Sequence, residues 1–358
     1  MKKCIVYYSR QDSVSRLITG FNLLKRQGII DVDFKENIEN YRRIPSANII
    51  EMELDNKLIA FDMGDRWALC DDAGIDYLQR VDGYFARDYS NKVDIVTPLI
   101  FTDNDKVKPF GFNYYVTFKG NPLEQVNNIR ARFVKTVKDI TRYSTCMYPE
   151  YFEQKADWKE KDLKIIFMAR LWDTMQIDLD TDLPRDVYDY RVYMFEERTR
   201  INKSRTEIMR KLKKEYGPGF IGGIYRDSFS EKYCPDLIVP KELTRKKAYL
   251  DQMKKADICI GTMGVHRSIG WKIGEYIAAA RAIVAERFEY IVPGNFDDGK
   301  HYIPYDTVDE CCEAVSNLYE NPALVYEMKK ANEEYYLNYL KVERQLLNAF
   351  KEMGVVLK

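Results

Sequence analysis

The chain has 358 residues, enough for roughly two domains at about 150 residues each. Lys plus Arg and Asp plus Glu both number 56, so the net charge is zero and leaves no whole-chain electrostatic footprint for nucleic acid. The seven cysteines are odd in number and form no CxxC, which argues against a disulfide framework or a cysteine-type zinc site and for a reducing, cytoplasmic setting. The N-terminal MKKCIVYYSRQD turns polar after Tyr8, too soon for a signal peptide. The best apolar run, 277–285, is short and holds Arg281, so no membrane-spanning helix is expected. Only His266 and His301 are present, which limits any mechanism that needs a histidine base.

CIVYY (4–8) predicts a short buried strand. The polar turn SRQDS (9–13) follows, and Val14, Leu17, Ile18, Phe21 and Leu24 then recur at helical spacing. Gly28 and IIDVDF (29–34) complete a strand–helix–strand opening, the usual start of a parallel α/β sheet. Residues 49–63 predict two strands around Asp55-Asn56, VDIVTPLIF (93–101) another strand, and PFGFNYYVTF (109–118) an aromatic one. Residues 119–160 hold two helix-like patches, and the charged stretch near 150–162 predicts an inter-domain connection. LKIIFMARLW (163–172) restarts the pattern with a buried strand. Residues 200–217 predict a helix with Ile208, Leu212 and Tyr216 on one face, stopped by Gly217-Pro218-Gly219. Strands over 220–225 and 256–263, a helix over 247–255, and a helix running into a strand over 272–286 make the second half alternate as well. Thr307 and Glu310 predict a capping box, Asn321-Pro322 an N-cap with proline at the first helical position, and 322–353 one long final helix.

The chemistry concentrates in GTMGVHRSIGWKIGEYIAAARAIVAE (261–286). A buried strand ends at Gly261-Thr262, a loop carries Gly264, Ser268 and Gly270, and a helix starts near Trp271. Loops at the carboxyl ends of parallel strands are where α/β sheets bind ligands, and free N–H groups at a helix start attract phosphate. His266, Arg267 and Lys272 surround that point with cations or donors, and Glu275 can face the same cleft. Spacing alone fits a glycine-containing loop with a solvated basic rim equally well, since no Walker or GxGxxG pattern is present. In SRQDS, Asp12 reads either as a general base or, with Ser13, as a helix cap. Asp62 and Asp65 in FDMGDRW (61–67) read as a turn rather than a metal site, because no third carboxylate is spaced for one. The cations Arg198, Arg200, Lys203, Arg205, Arg210, Lys211, Lys213 and Lys214 read as a solvated helix face, or as a contact for anionic lipid. His301 falls in an expected surface turn.

The 261–286 stretch resembles the donor-binding segment of GT-B glycosyltransferases of the group 1 superfamily, closest to its spore-maturation-protein-like branch. There a glycine-containing loop leads to a helix carrying a Glu, then to small residues and an apolar strand, as in Glu275 to Glu286. The resemblance implies that Glu275 bonds the ribose of a nucleotide sugar and that Arg170, after the strand in KIIFMARLW (164–172), contacts its diphosphate. It extends through 200–223 and 301–322, while the first half matches in layout only. Two departures stand out. Arg267 occupies the place, eight residues before Glu275, near which many retaining members carry a first Glu. Met175 stands where a Lys is usual, with Lys272 or Arg200 as substitutes.

The resulting expectation is an α/β protein of the GT-B type. A Rossmann-like acceptor-side domain spans 1–155, a Rossmann-like donor domain 156–335, and a helix over 336–358 packs back on the first. Asp12 and His266 are the candidate catalytic residues. Arg170, Gly264, Arg267, Ser268, Lys272 and Glu275 are the candidate donor-binding residues, with no metal and no cofactor beyond the nucleotide-sugar substrate. The acceptor is a saccharide or a lipid-linked one, with the 198–214 helix touching the inner membrane face and no nucleic acid involved. The lack of a histidine in the first half favours a retaining route, which needs no strong base, over an inverting one. A sugar-nucleotide epimerase on the same fold and a non-catalytic scaffold are the rival readings.

Overall fold

The computed structural model describes residues 1–65, 72–90, 105–124, 144–179 and 183–357, with 72–73 and 144–145 in backbone only. The strand expected over 93–101, Cys70, and much of the 119–160 patch lie outside the described residues.

The first half builds β1 (Lys2–Tyr8), α1 (Ser15–Arg26), β2 (Ile30–Glu36), β3 (Ile49–Leu54), β4 (Lys57–Asp62), α2 (Asp72–Arg80), β5 (Gly83–Ala86) and β6 (Val107–Pro109). The sheet order is β2-β1-β3-β4-β5-β6. The opening β1-α1-β2 unit is parallel, with Cys4 opposite Val32. β3, however, runs antiparallel to both β1 and β4, so this sheet is mixed rather than all parallel. The cause is local. Asp55 and Asn56 both take left-handed φ, 56° and 59°, and a two-residue turn of that kind can only return the chain as an antiparallel neighbour.

PFGFNYYVTF does not form the expected strand beyond β6. Residues 110–118 belong to no strand and are mostly buried, and side chains meet several of their carbonyls. Gln345 Nε2 donates to the carbonyls of Phe110 and Phe112 at 2.9 and 3.2 Å, and Ser15 Oγ donates to that of Val116 at 2.7 Å. Side chains thus satisfy groups that a neighbouring strand would otherwise have to meet.

The second half builds β7 (Ile165–Ala169), α3 (Arg185–Tyr216), β8 (Phe220–Ile224), α4 (Lys246–Lys255), β9 (Ile258–Gly261), α5 (Trp271–Ala278), β10 (Ala282–Glu286), β11 (Ile303–Tyr305), α6 (Val308–Glu320), α7 (Pro322–Tyr335) and α8 (Val342–Glu352). Its sheet is all parallel, in the order β11-β10-β9-β7-β8. β7, β9 and β10 are buried along their whole length, as parallel strands covered on both faces must be. Along β7, Ile166 and Met168 join the core that holds Tyr276 and Ile277, while Ile165 and Phe167 join the one that holds Ile208 and Met209.

The capping box forms: Thr307 Oγ1 accepts from the Glu310 N–H at 3.2 Å, and Glu310 reaches back to the N–H of Asp306 at 2.7 Å. Pro322 sits at the start of α7, but the Asn321 side chain caps nothing and donates instead to the carbonyl of Asn317 at 2.7 Å. The final helix is not continuous. After α7 a wide turn spans Tyr336–Leu340, and Lys341 leaves helical geometry with ψ 136°. Arg16 of α1 donates to the Leu340 carbonyl freed by that break. α8 then crosses back onto the first half, so close to α1 that a Cβ on Gly20 would lie 2.7 Å from Leu346, with Phe350 6.3 Å from Phe21. The architecture is therefore two α/β layers facing a cleft, closed by a returning helix. Among the described residues, no helix is long and apolar enough to cross a membrane.

α5, which borders the cleft, is set by its contact with the 110–118 segment. A Cβ on Gly274 would meet the buried Tyr114 ring at 2.8 Å and the Asn113 carbonyl at 3.1 Å. Gly274→Ala should therefore destabilise the protein by about 1–3 kcal/mol, as overpacking does, despite the better helix propensity of alanine. Urea denaturation of the two proteins checks this.

Candidate functional site

The carboxyl ends of β7, β8 and β9 open on a cavity of about 730 Å³. The second sheet supplies most of its wall, and Asp65 and Arg87 reach it from the first. Six cations line it among the described residues, namely Arg87, Arg170, Arg205, Arg245, Lys246 and Lys272, against two carboxylates, Asp65 and Glu275. Arg87 pairs with Asp65 and Lys246 with Glu275. Four cations thus remain without a carboxylate partner within the wall, a concentration of charge that calls for a multiply anionic ligand.

The loop from Thr262 to Gly270 forms the floor. The Gly264 N–H donates to the Ser268 carbonyl at 2.8 Å, and a Cβ on Gly264 would lie 2.7 Å from Ser268 Oγ. The loop closes tightly enough to need glycine there. His266 and Arg267 follow with left-handed φ, 57° and 54°. Their strain is offset by Glu197, buried on α3, whose carboxylate accepts from the His266 N–H at 2.9 Å and the Arg267 N–H at 3.3 Å. α5 then begins at Trp271 with no side chain on its N-cap. Its first N–H groups and the positive end of its dipole thus border the cavity.

Lys272 and Glu275 stand on that first turn. Lys272 donates to the Met168 carbonyl and lies 4.4 Å from the Tyr249 ring centre and 5.3 Å from that of Tyr225. Burial pushes its ammonium down to about 7, Glu275 opposes the fall, and Lys246, Arg205 and Arg170 add to it. Glu275 is buried. One carboxylate oxygen takes the Lys246 ammonium, and Oε2 has no partner. An orphan carboxylate oxygen in a cavity wall is costly unless a ligand hydroxyl or amide completes it. The Lys partner is Lys246, on α4, not the nearer-in-sequence Lys272. Arg170 is exposed after β7, its guanidinium 5.5 Å from the Tyr225 ring centre.

Other expected residues lie elsewhere. Asp12 is exposed, outside the cavity wall, in a short turn before α1; neither it nor Ser13 caps that helix with a side chain. The His266 ring turns out of the cavity and stacks against Tyr190 and Tyr193, both centroids 6.1 Å away. Arg267 pairs with Glu289 at 2.5 Å and also lies outside the wall. Of the donor candidates, Arg170, Gly264, Ser268, Lys272 and Glu275 come together in one cavity. His301 is no surface turn: it is buried, stacked on Phe296 at 4.8 Å.

Two site residues were missed because they sit among the charges of α3. Arg205 is buried and donates to Thr262 Oγ1 at 2.9 Å, the Arg170 carbonyl at 2.6 Å and the Met263 carbonyl at 3.1 Å. Glu197 holds the floor loop as described. The signal was the helical face itself. Stepping back from Leu212 and Ile208 by three or four residues lands on Arg205, Ile201 and Glu197, all buried. A charge on an apolar stripe is a charge with an interior partner. Three other cations of this helix pair with carboxylates, Arg200 with Glu286, Arg210 with Asp236 and Lys211 with Asp309.

No protein-family model matches the chain, and no curated protein does. Its resemblance to solved structures is distant. One is the UDP co-structure of MnaA from S. aureus, at 11% identity, covering 99% of this chain and 98% of that one, TM-score 0.46. Another is HepE from Anabaena in complex with UDP and glucose, at 9% identity, covering 97% and 99%, TM-score 0.43. A third is the C-terminal domain of LpcC, a glycosyl transferase group 1 family protein from Francisella tularensis, at 10% identity, covering 54% and 97%, TM-score 0.35.

The Lys246–Glu275 pair holds α4 against α5 at the cavity wall. Lys246→Met leaves a buried carboxylate without its cation, so the protein should lose about 1–3 kcal/mol of stability. Urea denaturation of the two proteins at neutral pH measures this.

Proposed function

We propose that the protein is a glycosyltransferase that moves a sugar from a nucleoside-diphospho-sugar to a saccharide or lipid-linked acceptor, as in cell-surface polysaccharide or glycan synthesis. The observation that carries this is one cavity holding two matched subsites. An uncapped helix N-terminus with Arg170 and Lys272 suits a diphosphate. Four residues on from Trp271 in the same helix, Glu275 offers an unpartnered, buried carboxylate oxygen that suits a ribose hydroxyl. The group 1 reading, and within it the spore-maturation-protein-like branch, rests on the 261–286 motif that supplies these groups.

In this reading catalysis consists of holding the acceptor hydroxyl against the anomeric carbon and stabilising the departing diphosphate. Arg170, Lys272 in its charged form and the first amides of α5 do the second task without a metal. Turnover is therefore independent of added divalent metal and persists in EDTA; loss in EDTA with rescue by Mn²⁺ or Mg²⁺ would count against it. A lipid-linked acceptor would bring the 198–214 face near anionic headgroups, where the ion pairs of Arg200, Arg210 and Lys211 compete with lipid.

A thermal-shift screen of UDP-, GDP-, dTDP- and CMP-sugars tests the reading. At least one should raise the melting temperature, and none doing so would leave a scaffold. Epimer or free nucleotide formed without an acceptor would indicate an epimerase. With the preferred nucleoside diphosphate, Glu275→Gln should weaken binding by about 1.5–3 kcal/mol and weaken the intact donor equally, since the ribose is common to both. Equal affinities in calorimetry would remove Glu275 from the ribose.

The pH dependence follows from Lys272. Its folded-state ammonium lies lowered to about 7, so the cation is present below that pH and lost above it. A diphosphate favours the charged form. Affinity for the nucleoside diphosphate should fall as the pH rises from 6 to 9, by roughly tenfold or more for one charged hydrogen bond, and binding at pH 8 should take up a proton. Calorimetry in two buffers of different ionisation enthalpy reads both, and Lys272→Met should flatten the profile.

A further inference from the structure

Asp12 stands outside the cavity, which leaves the acceptor side of the proposed reaction without the carboxylate expected there. The described wall contains just one other candidate. Glu275 is buried and held by Lys246, whereas Asp65 lines the cavity from the first sheet with its side chain 57% exposed.

Its position is built. Asp62, the last residue of β4, is buried. It accepts from the Tyr84 hydroxyl at 2.6 Å and from the Gly64 N–H at 2.9 Å. The second bond reverses the chain immediately after the strand and delivers Asp65 to the cleft. There the guanidinium of Arg87, itself buried, takes Asp65 with one nitrogen and the Ile269 carbonyl of the floor loop with another. Asp88 lies 3.9 Å from the same guanidinium and helps to hold its charge. One side chain thus fixes Asp65 relative to the loop that leads into α5. The cations suited to a diphosphate, Arg170 and Lys272, belong to the other sheet.

We propose that Asp65, which reaches the cavity from the first sheet while Arg170 and Lys272 come from the second, is the catalytic base of the transfer, and that the reaction therefore inverts the anomeric centre in place of the retaining route that the lack of a histidine favours. The inference rests on the glycosyltransferase reading above. The acceptor O–H gives its proton to the Asp65 carboxylate while the oxygen forms the new bond to the anomeric carbon. The bond from that carbon to the phosphate oxygen breaks, and its electron pair leaves on the nucleoside diphosphate beside Arg170 and Lys272. No oxidant, metal or further reactant is needed. A base carried by one sheet and a leaving-group clamp carried by the other suit in-line displacement. A retaining route would instead place acceptor and leaving group on the same face and leave Asp65 without a task. Arg87 is a positioning residue here: it orients the carboxylate that meets the substrate.

The test uses the full chain and the nucleotide sugar that gives the largest thermal shift in the screen, with water as acceptor. Wild-type protein should release the sugar first in the anomeric configuration opposite to the donor's, read by proton NMR before mutarotation. Asp65→Asn should lower the rate by about 10²–10⁴-fold, the usual contribution of a general base. It should stay folded by circular dichroism, with a lower melting temperature because Arg87 loses its charged partner, and its affinity for the nucleoside diphosphate should remain within twofold. Hydrolysis by Asp65→Asn within threefold of wild type, or release of sugar with retained configuration, would overturn the proposal and leave the glycosyltransferase reading standing. If wild-type protein neither binds nor turns over any nucleotide sugar of the screen, that reading fails and takes Asp65 with it.

Discussion

The candidate site depends on one buried guanidinium. Arg205 reaches from α3 under the ends of two parallel strands and bonds the carbonyl of Arg170 after β7 and both Thr262 and Met263 after β9. Strand ends are where a sheet stops satisfying its own backbone, so their carbonyls need donors from elsewhere. A single planar fork supplies three, in a geometry that no lysine could match. Burial draws its charge down to about 10, against the pull of Glu286, which leaves it fully cationic at neutral pH. Arg205 therefore acts twice. It fixes the spacing between the β7 and β9 loops, and it adds positive potential beneath the cavity without occupying it.

A second tie sets how the two sheets face each other. The 110–118 segment leaves β6 and lies against α5, where Gly274 admits it. Gln345 of the returning helix bonds its carbonyls, and the same side chain accepts from Arg16 of α1 at 3.1 Å. The break between α7 and α8 exposes the Leu340 carbonyl to Arg16 as well. A continuous helix would carry its last turns away from α1. The interruption redirects them onto it, and the first sheet is then held at the height where Arg87 can reach Ile269.

Much of this was legible in the sequence, and what was not has a common cause. Local patterns read well: the Asp55-Asn56 turn, the capping box at Thr307, the alternation that gives the parallel second sheet, and the glycine loop running into α5. Each is decided within a few residues. Glu275 and Arg170 were legible through the same motif and share a cavity. Failures came where a distant group settled the matter. PFGFNYYVTF has strand composition, yet Gln345, more than 200 positions on, takes its carbonyls. Asp12 and Asp65 both follow a strand of the first sheet. The turn closed by Asp62 carries Asp65 to the cleft, and the buried Arg87, whose role no local pattern announces, holds it there, while Asp12 lies outside the cavity. His266 looked like a site residue because of its neighbours, but left-handed backbone at 266 and 267 turns its ring outward to Tyr190 and Tyr193. Arg205 and Glu197 were hidden among the charges of α3, where composition says surface and periodicity says interior.

The charge balance of the cavity explains why its cations differ from one another. With Asp65 and Glu275 matched to Arg87 and Lys246, the cations left over are Arg170, Arg245, Arg205 and Lys272. Burial raises the cost of each charge first and its like-charged neighbours add to it, and the group that can shed a proton most easily responds. Arginine cannot respond at neutral pH, so the burden falls on Lys272. Arg170 and Arg245 avoid it by staying in solvent, at the mouth, where an arriving anion is met first. Lys272 lies deeper, between two tyrosine rings, and its charge is fully restored only when an anion arrives to balance it. The empty cavity thus limits its own repulsion, and the occupied one draws on the full set of cations. The group that makes the difference is the one placed where a departing diphosphate would need it.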